Sequence, residues 1–221
     1  MSRSSLSYPS LAMRTATRPT RSPLLRRLLV VTLGTLGIAA LAACKDDDVI
    51  RASREVHTDT LRAYALTGSP LEYPSALNIW TSIAGTTVPI NANVTFDVVF
   101  DFDPATPNEI TVHPVRAILS PVARAHSVAF LKPGETFEDI TRAPDGDYRP
   151  DSSITVQPRE PFVVQSFRST GELICLYLVT PRVYAKVVVD SVNTTTRAIY
   201  LRQTVNPNCG YRSFEPGFPA N

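Results

Sequence analysis

The side chains of this 221-residue chain that could do covalent, acid–base or metal chemistry are three cysteines, three histidines and two groups of aspartates. His57, His113 and His126 stand far apart, with no H-E-x-x-H pair to share a helix face, and no C-x-x-C is present. No metal site of the zinc type is therefore expected. Asp145, Asp147 and Asp151 occupy relative positions 1, 3 and 7 of one segment, which suits a hard cation in part. The remaining ligands and closing glutamate of an EF-hand loop are missing, so a polar turn is the preferred reading. Asp97, Asp101 and Asp103 share one parity with Glu109 close by. They could collect a cation, but such a stripe is also the ordinary solvated side of an amphipathic strand. The chain has no G-x-S-x-G elbow and no glycine-rich phosphate loop, so no catalytic residue, cofactor or enzymatic activity is assigned. A Ser–His–Asp set using His113 or His126 could arise only through the fold. Trp80, Tyr148, Tyr177, Tyr184, Tyr200 and Tyr211 could build a sugar- or peptide-binding face. For Trp80 the core is the simpler place, and for Tyr184 the simpler role is cross-strand packing against Tyr200.

Charge is distributed unevenly. The net charge of +2 comes from 22 basic and 20 acidic residues, yet residues 1–43 hold six arginines and no acid. Residues 44–221 are left with 16 basic and 20 acidic residues, a net of −4. A basic pI carried by a removable leader is no argument for nucleic-acid binding, and no nucleic-acid partner is expected. After Arg27 comes an uncharged run over 28–43, then Cys44 and the charged Lys45-Asp46-Asp47-Asp48. A basic region, an apolar run and small residues before a cut site make a secretory signal peptide. A spanning helix needs about 20 apolar residues; only 16 lie between Arg27 and Cys44, two of them Gly34 and Gly37.

Leu41-Ala42-Ala43-Cys44 resembles the lipobox of bacterial lipoproteins. The resemblance covers these four residues and the apolar run before them. It implies cleavage before Cys44 by signal peptidase II, a diacylglycerol on the Cys44 thiol and acylation of the new amino group. Two or three chains on one residue, at about 0.8 kcal/mol per buried methylene, would hold the protein durably at a membrane that it does not cross. The expected location is the extracytoplasmic side of the cell envelope. Lys45 rather than Asp after the cysteine leans towards the outer membrane, as in enterobacterial lipoproteins. Met13 would give a leader of more ordinary length than Met1. With Cys44 assigned to lipid, Cys175 and Cys209 remain for a disulfide, because bridges persist outside the cytoplasm.

The elements that must position these groups read as strands. Residues 44–221 contain 48 Val, Ile and Thr and 16 Pro, a composition that favours pleated strands and cuts helices short. Alternation marks strands over 60–67, 77–83, 94–102, 110–119, 128–131, 153–157, 161–169, 172–179, 183–190 and 197–204. Pro114 makes the fourth of these an edge or bulged strand. In 94–102 the even-numbered Phe and Val face one way and Asp97, Val99 and Asp101 the other. In 183–190 Val183, Ala185, Val187 and Val189 face inward, with Tyr184, Lys186 and Asp190 outward. The expected organisation is a signal peptide over 1–43, a lipidated tether over 44–57 and a single all-β sandwich over 58–221, immunoglobulin-like in layout. The expected role is structural or interactive at the envelope, with an envelope protein or glycan as partner. A carbohydrate- or small-ligand-binding lipoprotein is the alternative, and a hydrolase the third reading.

Overall fold

Phe96, Val98, Phe100 and Phe102 alternate along the chain and all are buried, the period-two signature of a strand with one face on a core. The computed structural model describes residues 52–80, 85–90, 95–119, 126–168, 175 and 181–218. Among these residues lie β1 (His57–Tyr64), β2 (Pro74–Asn78), β3 (Thr86–Pro89), β4 (Val98–Phe102) and β5 (Ile110–Pro114). One helical turn, α1 (Val115–Ile118), follows. Then come β6 (His126–Leu131), β7 (Arg149–Pro150), β8 (Ile154–Val156), β9 (Pro161–Arg168), β10 (Arg182–Asn193) and β11 (Ala198–Asn206).

These strands form two antiparallel sheets, six-stranded in the order β1-β11-β10-β9-β6-β7 and five-stranded in the order β3-β2-β4-β5-β8. One core lies between them: Leu77, Phe96, Phe100, Ile110 and Val112 from one side meet Phe130, Phe162, Val187, Ile199 and Leu201 from the other. The fold is the expected β-sandwich. Its first and last strands, β1 and β11, lie side by side in the larger sheet. No helix among the described residues is long and apolar enough to cross a membrane.

Several strands depart from their expected bounds. The folded unit starts earlier than residue 58: Val56 is fully buried, and the backbone amides of Ser53 and Arg54 both donate to Asn208 Oδ1 at 3.0 Å. Pro114 does not interrupt an edge strand. It ends β5, which pairs on both sides, with β4 and with β8, and the chain then turns into α1. The expected strand 172–179 lies outside the described residues except for Cys175. β3 and β7 were not expected, being too short to alternate.

A second core covers part of the outer face of the larger sheet. Tyr184 and Lys186 have the outward parity expected of them, yet each is only 6% exposed. Ile140, Ala143 and Phe214 pack on Val163 and Tyr184, brought there by a two-residue exchange in which the Ala143 amide donates to Arg212 O and the Phe214 amide to Thr141 O. Lys186 donates to Phe137 O at 2.7 Å with its ammonium over the Phe137 ring; burial pushes its pKa down, against the nearby Glu138 charge. The sequence pattern missed this layer because a strand face reads as polar whether water or a loop covers it. Phe214→Ala is expected to cost about 3 kcal/mol in a urea titration. A loss below about 1 kcal/mol would mean that the layer adds nothing to the fold.

Candidate functional site

Among the described residues, a Ser, a His and an Asp of the sequence's chemical groups meet in a polar cluster clamped between the sheets. Asp97, just before β4, is fully buried and not part of a solvated stripe. Its Oδ2 accepts from the Ile79 amide at 2.7 Å and from Arg168 Nη2 at 3.1 Å, and its Oδ1 faces His126 Nε2 at 2.7 Å. The Ser166 hydroxyl donates to Asp97 Oδ1 at 2.6 Å and accepts from Trp80 Nε1 at 2.7 Å. Arg168 also donates to Asn78 Oδ1 and lies over the Trp80 ring. His126, Ser166 and Arg168 belong to the six-stranded sheet; Asn78 belongs to the other, with Trp80 and Asp97 beside its strands. Burial pushes the Asp97 carboxyl up. The hydrogen bond from His126, the charges of Arg168 and His126 and the Ser166 hydroxyl outweigh it and hold the group below the ordinary 3.8.

Asp97, His126 and Ser166 are the residue types of a nucleophilic triad, but not its geometry. A relay needs the carboxylate on one ring nitrogen and the hydroxyl on the other. Here both face Nε2, the serine lying 3.1 Å from it, and the serine proton is committed to Asp97. Ser166 and Asp97 have no exposed surface, so a substrate has no approach to either. The cluster is an ionic clasp that fixes one sheet to the other. Its members were legible in part: Phe162, Val164, Ser166 and Arg168 share one parity, as do His126, Val128 and Phe130, so the core face of each strand runs directly into its polar residues.

The other candidates are scattered. His113 Nδ1 lies 2.9 Å from Ser153 Oγ; burial lowers its pKa and the Asp101 charge opposes this. His57 is half-exposed beside Glu55 at 3.3 Å. Asp151 accepts from Arg116 at 2.7 Å and from Ser127, while Asp145 pairs with Arg212, so Asp145, Asp147 and Asp151 do not converge. Asp101 pairs with Arg197 and Thr67, and Asp103 caps its own turn at the Ala105 amide. Among the described residues no group of three or more His, Cys, Asp or Glu could hold a metal ion. Cys175 and Cys209 are joined by a disulfide with Cα atoms 5.5 Å apart; Cys44 lies outside the described residues.

The aromatic set also divides. Trp80, Tyr184 and Tyr211 are buried, and Tyr177 lies outside the described residues. Tyr184 packs on Tyr148, centroids 6.3 Å apart, and not on Tyr200. Its strand partner on β11 is Asn206, whereas Tyr200 stands opposite Arg62 and Ser191. Tyr200 is 40% exposed. Near the same end of β1, Tyr64 and Tyr73 pack with centroids 4.5 Å apart and planes tilted by 49°, which is not a flat platform for a sugar ring. Arg62 lies over the Tyr64 ring. Compared with protein-family models, with the sequences of characterised proteins and with solved structures, the chain matches none of them.

Proposed function

We propose that this chain is an exported lipoprotein, cut before Cys44 and acylated there, that displays its β-sandwich outside the cytoplasm to engage another component of the envelope. The observation that carries the reading is the lipobox-like Leu41-Ala42-Ala43-Cys44 at the end of an uncharged run. The Cys175–Cys209 bridge supports the same compartment, because such bridges survive where the surroundings are oxidising. It also leaves Cys44 as the one cysteine not engaged in a disulfide. An interaction role is favoured over catalysis because the site that brings Asp97, His126 and Ser166 together is a buried clasp, with no exposed surface at Asp97 or Ser166.

The tether between anchor and folded unit is short in sequence. Ser53 and Arg54 are fastened to Asn208, so the eight peptide steps from Cys44 to Ala52 reach at most about 29 Å. That entry lies at the end of the larger sheet marked by His57, Asn206, Arg182, Arg168 and His126. The expected result is that the protein expressed in bacteria partitions with membranes, with an intact mass showing an acylated N-terminal Cys44. Cys44→Ser should reduce the membrane-bound fraction at least about tenfold. A native N-terminus upstream of residue 44, or an unmodified thiol, would refute the proposal.

A further inference from the structure

Among the described residues the two sheets have four outer edges, and three of them carry features that discourage strand addition. β8 offers one outward peptide, at Thr155, whose carbonyl accepts from Lys132 Nζ at 3.0 Å. β7 is two residues long and ends in Pro150. β3 ends in Pro89, opposite Pro74 across a register shift. Short strands, a lysine, prolines and bulges are the devices that keep sheet edges from recruiting another strand.

β1 carries none of them. It runs eight residues, His57–Tyr64, in unbroken register with β11. The direction of its peptides follows from its flanks. The Ala65 amide donates to Arg197 O on the β11 side, whereas Val56 exchanges bonds with Gly217, and the Leu66 amide donates to Phe100 O, on the opposite side. Even-numbered residues therefore turn their backbone groups away from β11. Thr58, Thr60, Arg62 and Tyr64 present four N–H and four C=O groups outward, with no backbone partner among the described residues. Thr58, Thr60 and Arg62 are exposed.

From this we infer that β1 is a docking edge that accepts an extended, acidic peptide strand of another protein. The main-chain groups supply the ladder, and alternate side chains supply the preference. Arg62 projects from the outer face over Tyr64, 5.4 Å from its centroid, with no carboxylate beside it among the described residues, so a Glu or Asp on the added strand finds an unneutralised guanidinium. Tyr73 at 41% exposure and Leu71 at 83% offer apolar contact at the Tyr64 end.

A second copy of the chain is the less fitting occupant. Two-fold related edges offer the same residues to each other, so they pair only antiparallel. That would set the two lipid-bearing starts at opposite ends of the joint sheet, on tethers that reach about 29 Å. This choice of occupant rests on the lipoprotein reading; the open edge itself does not.

The test uses mature protein purified from membranes in detergent. The probes are a nine-residue peptide of alternating threonine and valine with a central glutamate, the same peptide with lysine there, and one interrupted by proline. The glutamate peptide should bind, and hydrogen exchange should slow at the amides of Thr58, Thr60, Arg62 and Tyr64. Thr60→Pro removes one outward donor while leaving the β11 ladder intact and should weaken binding at least about tenfold; Thr60→Lys serves if the proline variant does not fold. Arg62→Ala should weaken the glutamate peptide about threefold and leave the lysine peptide no weaker. Protection elsewhere, binding indifferent to Thr60, or a β1-mediated dimer in sedimentation would overturn the inference. The intact mass of the same sample reports on Cys44 separately, so a missing lipid and a closed edge are distinguishable results.

Discussion

Asp97→Ala is expected to destabilise the protein by about 3–5 kcal/mol, because it removes the fully buried carboxylate that pairs with Arg168 and His126 of the facing sheet. The hydrogen bonds to the Ile79 amide and Ser166 go with it. The measurement is the shift in urea midpoint at unchanged slope. A loss under about 1 kcal/mol would mean that the clasp does not join the sheets. The same residue sets the acid limit. Its folded carboxyl titrates below the ordinary 3.8 because His126, Arg168 and Ser166 together outweigh the opposing effect of burial. A depressed carboxyl contributes stability that is complete above the unfolded value, near pH 4, and fades as pH falls through the folded one. Asp97→Asn should therefore flatten the decline in stability below about pH 4.

The second large effect is expected from opening the disulfide. Cys175 and Cys209 are separated by 34 residues, and closing a loop of that length restricts the unfolded chain by about 4 kcal/mol. Cys175→Ser with Cys209→Ser should lower stability by about that amount, with the wild type under reductant behaving the same way. Loosening should spread to the chain start, since Asn208, next to Cys209, holds the Ser53 and Arg54 amides. Faster hydrogen exchange at those two amides checks this. Free thiols at both cysteines in native protein would remove the bridge and its support for an oxidising compartment.

Strands with one face on the core were legible wherever apolar residues alternate. β4, β9, β10 and β11 were placed within a few residues of their observed bounds, because an inward Phe or Val at every second position has only one side to hide. The disulfide was legible from the number of cysteines, with Cys44 set aside for lipid and export expected. The clasp was not. Asp97, at the entrance of β4, has the parity of Asp101 and Asp103, and parity separates two faces without saying which part of the second face another chain segment will cover. Asp101 stays at the surface with Arg197, Asp103 is exposed, and Asp97 is buried by His126 and Arg168 from the facing sheet. The same ambiguity hid Lys186 and Tyr184 beneath the 137–143 segment and Phe214.

By itself the sequence determined the class of fold and the pair of cysteines that bridge, since each depends on residue type and local spacing. Only the tertiary structure decided that Asp97 is buried, that Asp97, His126 and Ser166 meet without forming a relay, and that β1 has no outer backbone partner among the described residues. Those outcomes depend on contacts between residues as far apart as Asp97 and Arg168, or on which described segments pair with the outer edge of β1. No periodicity along the chain records either.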